Sequence, residues 1–250
     1  MFARFFQKQP LLHDEAVEML FDLYAWCFER FGAAEFQNRV LVLPNNHYFP
    51  GTEQTAEGMA ALILERVKDY AGVPEWPLRA ENGFSHADDA LLEDQSGSQG
   101  RVVFYNPQQL ANPQALIANY AHHLAHYLAM DSASPPPGDE TQWLQATEVV
   151  AIFLGFGLMF ANTALAAPRS CASCRPPGMD RQGALSQYEA TYALAIFCTL
   201  KGLDEREVSA NLKKTLRSFF KRAVNELHTR HTDQLEMFKA LAAAEHSARV

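Results

Sequence analysis

The chain has 250 residues, 48% hydrophobic and 20% charged, with a net charge of −8. That length can bury a sizeable core, and the acidic balance gives no general attraction to nucleic acid or an anionic membrane. Four cysteines are too few for a disulfide scaffold, and the opening MFARFFQKQPLLHDEAVEML lacks an apolar run before a small-residue cleavage site. The expectation is therefore a cytoplasmic protein. The charge is uneven: residues 201–250 carry 10 Lys+Arg against 7 Asp+Glu, and the first 200 carry 11 against 22.

In chain order, Val17, Leu20, Phe21, Tyr24, Cys27, Phe28 and Phe31 fall at helical spacing, with Gly32 as the stop. Arg39–Pro44 reads as a short strand or extended run closed by proline. Thr52 is a candidate cap for a helix to about Ala71, with Met59, Ala60, Ile63, Val67 and Tyr70 as its apolar stripe. Pro77–Asn82 and Arg101–Tyr105 are strand candidates on either side of a polar loop, His86 to Gly100. Asn112-Pro113 starts a helix to about Met130, which the proline-rich Ser134–Gly138 ends. A long apolar helix is expected from Thr141 to Ala166, and another from Leu185 to Lys201. The tail, Asp204 to Ala248, reads as one bent helix or two, with Val208, Leu212, Leu216, Phe219 and Leu227 facing inward. No repeat appears, and no linker compels a second domain. The fold class predicted is mainly α (α+β), a single domain with a small edge sheet: residues 1–105, a helix pair over 106–168, and C-terminal helices over 184–250.

Val149–Phe160, extended by ANTALAA, approaches the ~20 apolar residues a membrane span requires. Gly155, Gly157, Asn162 and Thr163 interrupt it, so a buried core helix is expected and no membrane span.

The chemistry concentrates in Ala121-His122-His123-Leu124-Ala125-His126-Tyr127. Histidines four apart on a helix share a face, where both imidazoles can reach one metal ion. In HExxH metallohydrolases the residue after the first His is a glutamate that activates the metal-bound water; here it is His123, ~100° around the helix from His122. An imidazole can accept a proton near neutrality, but a neighbouring cation disfavours the imidazolium. His123 is thus either an atypical general base or a bystander in a site that has lost hydrolysis. Glu148, on the next helix, is the expected third ligand, with Glu140 as the alternative. Small residues (Ala115, Ala118, Ala129; Ala151, Gly155) would let the two helices approach closely. The competing reading is ordinary hydrogen-bonded core histidines and a glutamate placed to suit a helix dipole.

On these residues the chain resembles the zincin superfamily, especially the compact minigluzincins. The order is the same: an edge strand (Arg101–Tyr105), an HxxxH helix, and a helix bearing an acid in Thr147-Glu148-Val149-Val150-Ala151. Here Ile152 stands where a further acid often follows. A bacterial zincin-like group is similar over roughly residues 10–225. It shares Val42-Leu43-Pro44 with Tyr48-Phe49-Pro50, the histidine helix, and Thr147-Glu148 through Phe153-Leu154-Gly155-Phe156-Gly157 to Ala161-Asn162. Gly183-Ala184-Leu185-Ser186 with Tyr192–Phe197 completes the match. The resemblance implies Zn²⁺ held by His122, His126 and Glu148, with catalysis in question at His123. The function expected is a zinc-binding zincin-like protein, a degenerate or atypical metallohydrolase acting on a peptide or small molecule. The alternative is a non-catalytic binding or regulatory module that meets a protein partner.

Three weaker features complete the reading. Cys171 and Cys174 have the spacing of half a zinc knuckle or a redox pair, or form an incidental loop. Lys213, Arg217 and Lys221 form a basic ladder, most simply a solvated face. Tyr188 and Tyr192 are either oxyanion donors or core.

Overall fold

The computed structural model describes residues 10–83, 101–131, 134–138, 142–164 and 183–248. It is mainly helical with one small sheet. Helix α1 (Asp14–Phe31) buries Val17, Leu20, Phe21, Leu23, Tyr24, Trp26, Cys27 and Phe28 and ends at Gly32. A short α2 (Ala33–Asn38) then folds Phe36 back under it.

Arg39–Pro44 is not a strand. It is an extended run with no strand partner among the described residues, tied inward where the Val42 amide donates to the Gly155 carbonyl at 3.0 Å. Helix α3 (Ala56–Ala71) starts later than expected because Thr55, not Thr52, is the cap: its hydroxyl accepts from the Gly58 amide at 3.0 Å. Strands β1 (Leu78–Asn82) and β2 (Arg101–Tyr105) pair in parallel, with Leu78 opposite Arg101 and Asn82 opposite Tyr105. The loop expected from His86 to Gly100 lies outside the described residues. A 3₁₀ turn (Pro107–Ala111), capped by Asn106, leads into α4 (Pro113–Met130).

The long apolar helix expected from Thr141 to Ala166 is broken. It divides into α5 (Trp143–Ala151), a π-type turn (Ile152–Phe156) and α6 (Gly157–Thr163). Gly155 makes the break: at φ 106° it adopts a backbone that side-chain-bearing residues avoid, and a Cβ there would strike the Val40 carbonyl oxygen. Trp143–Thr163 is long and apolar enough to cross a membrane, with mean hydropathy 1.8 over its most apolar 18 residues, yet 89% of that stretch is buried inside this fold. It is the centre of the core. Phe153 alone meets the rings of Tyr24, Phe28, Phe31 and Phe36 at centroid distances of 4.8 to 6.0 Å, and burying such a ring contributes roughly 1.5–3 kcal/mol.

Ser186 and Glu189 form a capping box at the start of α7 (Gln187–Lys201). The tail forms three helices rather than one or two: α8 (Glu205–Asn211), α9 (Lys214–Arg230) and α10 (Thr232–Ala248). Val208, Leu212, Leu216 and Leu227 are buried as expected. Phe219 is only partly buried, and its neighbour Phe220 takes the core position. Asn162 fixes this layer to α4. Its amide donates to the Gln114 Oε1 and the Asn211 carbonyl, and its own Oδ1 accepts from the Lys213 amide. That gives the Ala161-Asn162 pair a structural role.

Candidate functional site

Helix α4 is buried along Leu116, Ile117, Tyr120, Leu124 and Ala125, against α3, α5 and α6. The helical repeat then places His126 on an inner face at 6% exposure, while His122 and His123 are partly buried. Helix α5 packs directly on α4 and carries Glu148, 1% exposed. The sequence reading therefore put the expected ligands on two helices that touch.

Their hydrogen bonds point elsewhere. The Glu148 Oε1 accepts from the Ala184 amide and its Oε2 from the Leu185 amide, each at 2.9 Å. These amides lie just before the Ser186 cap, so a buried carboxylate in α5 grips the entry to α7. A carboxylate taken out of water is costly unless charge-assisted hydrogen bonds satisfy it, and two backbone amides supply them.

His126 is held from the other side. The Trp143 indole donates to its Nδ1 at 3.3 Å, with the two rings nearly perpendicular at 77°. An indole N–H only donates, so Nδ1 is the acceptor and the neutral ring carries its proton on Nε2. That nitrogen is shielded from solvent and has no hydrogen-bond partner among the described residues. A metal-ligating histidine shows the opposite polarity, donating from its second nitrogen to a carboxylate, carbonyl or water.

Among the described residues, no three His, Cys, Asp or Glu side chains converge closely enough to hold a metal ion. As placed, His122, His126 and Glu148 are not gathered into a three-ligand cluster: each Glu148 oxygen accepts a backbone amide and the His126 Nδ1 accepts an indole N–H. Glu140, Cys171 and Cys174 lie outside the described residues.

Burial lowers the pKa of His126, and burial together with the neighbouring His126 pushes that of His123 down to about 4. Both rings are therefore neutral at pH 7. A glutamate beside a metal becomes a neutral acid on taking a proton, whereas His123 would become a second cation.

The secondary candidates resolve into structure. Tyr192 is buried and donates to the Glu226 Oε1 at 3.2 Å, and Tyr188 stacks at the surface on Phe219. Arg217, the middle of the basic ladder, donates to the carbonyls of Leu212 and Ala210. The residues that sequence reasoning missed are Trp143 and the amides of Ala184 and Leu185. Trp143 could have been noticed as a donor-only side chain opening the apolar helix; the two amides carry no side-chain signal. Compared with protein-family models, curated proteins and solved structures, the chain finds no match.

Proposed function

We propose that this chain is a non-hydrolytic, zincin-like binding or regulatory module, in which the helix pair that suggests a metal centre acts as a hydrogen-bonded joint between α4, α5 and α7. The observation that carries the reading is the commitment of both Glu148 oxygens to the Ala184 and Leu185 amides. Two others support it: the Trp143-to-His126 bond sets the imidazole polarity opposite to that of a ligand, and His123 occupies the position of the expected proton acceptor.

Metal analysis and a broad peptidase assay on the purified chain test this. The reading predicts far less than equimolar zinc and no turnover sensitive to a chelator, with His123→Glu gaining none. Near-equimolar zinc that His126→Ala abolishes would overturn it.

A second reading takes the buried His126 Nε2, which lacks a partner among the described residues, as a ligand, and it requires the Trp143 bond to Nδ1 to open so that the ring proton can move there. On that reading His122, His126 and Glu148 hold one Zn²⁺, which supplies Lewis acidity to an atypical metallohydrolase. Turnover that disappears in His123→Ala, alongside equimolar zinc, favours it.

A further inference from the structure

His231 lies at the junction of two helices and against a third. Its amide closes α9 on the Leu227 carbonyl at 3.2 Å, and its carbonyl receives the Leu235 amide of α10 at 3.1 Å. Its ring packs on Phe21 of α1 at 5.2 Å. About two turns further on, Phe238 of α10 seats against Phe21 and Phe28, at 6.1 and 5.0 Å. Three ring contacts thus hold the α9–α10 corner and α10 against α1, and one of them involves a titratable ring.

The surroundings set what a proton does there. The Nδ1 of His231 is shielded from solvent and has no hydrogen-bond partner among the described residues. Beside the ring lies an open cleft of about 400 Å³ between α1 and α10. The charged groups facing it are Asp14, Glu18 and Asp22 from α1 and Glu226 and Arg230 from α9. Burial and Arg230 oppose the imidazolium, Asp14 and Glu226 favour it, and burial prevails, so the docked ring resists protonation. Protonation would also turn a buried acceptor into a buried donor with nothing to receive it. A protonated ring would find acceptors only by leaving Phe21 for the cleft lined by Asp14, Glu18 and Asp22.

We propose that His231 is the pH-sensitive half of a clasp holding α10 on α1, and that mild acid releases α10 to uncover the Phe21, Phe28 and Phe238 surface. The device is independent of the α4–α5 joint and stands or falls apart from it.

Amide hydrogen exchange in the full chain tests this, with rates corrected for intrinsic exchange, at about pH 7.5 and about pH 5.5, the range in which a histidine titrates. The expected result is that protection of residues 232–241 falls severalfold, up to about tenfold for one imidazole that titrates near 6.5 when released, while α3 and α7 are unchanged. His231→Phe keeps the ring contact without the proton, and its α10 should hold the same protection at both pH values. Unchanged α10 protection in the parent, or an undiminished pH effect in His231→Phe, would overturn the clasp. Should that variant fail to fold, the parent's His231 titrated by NMR decides. A midpoint below the ordinary value of about 6.5, restored to it in Phe238→Ala, supports the clasp; a midpoint at or above it in the parent overturns it.

Discussion

The α4–α5 joint and the α1–α10 edge each contain a histidine with one solvent-shielded ring nitrogen that has no hydrogen-bond partner among the described residues, His126 Nε2 and His231 Nδ1. At the joint, Trp143 holds the other nitrogen of His126, and Glu148 lies close to fully buried with two amides on its oxygens. At the edge, the ring is held by an aromatic contact and faces an open cleft. The difference teaches that an orphaned imidazole nitrogen is not by itself a site. What its ring can do is set by which groups hold it and whether it has somewhere to move.

The comparison can be broken at several points. The core beneath both regions is the stiffest: Phe153→Ala, which empties the space between four aromatic rings, should cost about 3–5 kcal/mol in urea unfolding. At the joint, Glu148→Ala leaves the Ala184 and Leu185 amides without their acceptor and should cost about 2–4 kcal/mol. Glu148→Gln keeps the shape and one oxygen and should lose less. If Glu148→Ala costs no more than an exposed substitution, the joint is not where the carboxylate works. Removing the indole donor with Trp143→Phe should cost about 1 kcal/mol and is expected to leave any residual metal content unaltered.

The comparison also carries a pH dependence. Burial depresses the pKa values of His123, His126 and His231 below the ordinary value. Above about pH 7.5, a unit over the ordinary value, these rings are neutral folded and unfolded, so they add no pH dependence. As pH falls below that, the unfolded chain takes up protons that the folded chain refuses, and stability declines. For His123 the decline levels off near its folded value of about 4. Urea midpoints measured across this range should fall with acid, and the fall should be shallower in His123→Gln.

Local signals were the legible ones. The apolar stripe of α1, the proline at the start of α4 and the two strand runs were readable because each rests on neighbours a few residues apart. The extended character of Arg39–Pro44 was legible, but its partner is a carbonyl at Gly155, more than a hundred residues on, so pairing could not be read. The Gly155 break was hidden because apolar residues run straight through it. The corner after Arg230 turns at His231, a residue with no strong stop preference.

The same division runs through the candidate site. The pairing of histidines four apart, and their helix's contact with the one bearing Glu148, follow from periodicity and order. What Glu148 grips lies 36 and 37 residues away and is backbone, and the indole on His126 lies 17 residues away. Spacing identifies donors that could face a metal; it does not reveal which protein groups also bond to them.

The most direct measurement is hydrogen exchange at the Ala184 and Leu185 amides, in chelator and then with added zinc. The joint predicts strong protection at both amides, equal in the two conditions and lost in Glu148→Ala. Loop-like exchange in the parent, or protection that zinc abolishes by drawing the carboxylate away, would contradict it.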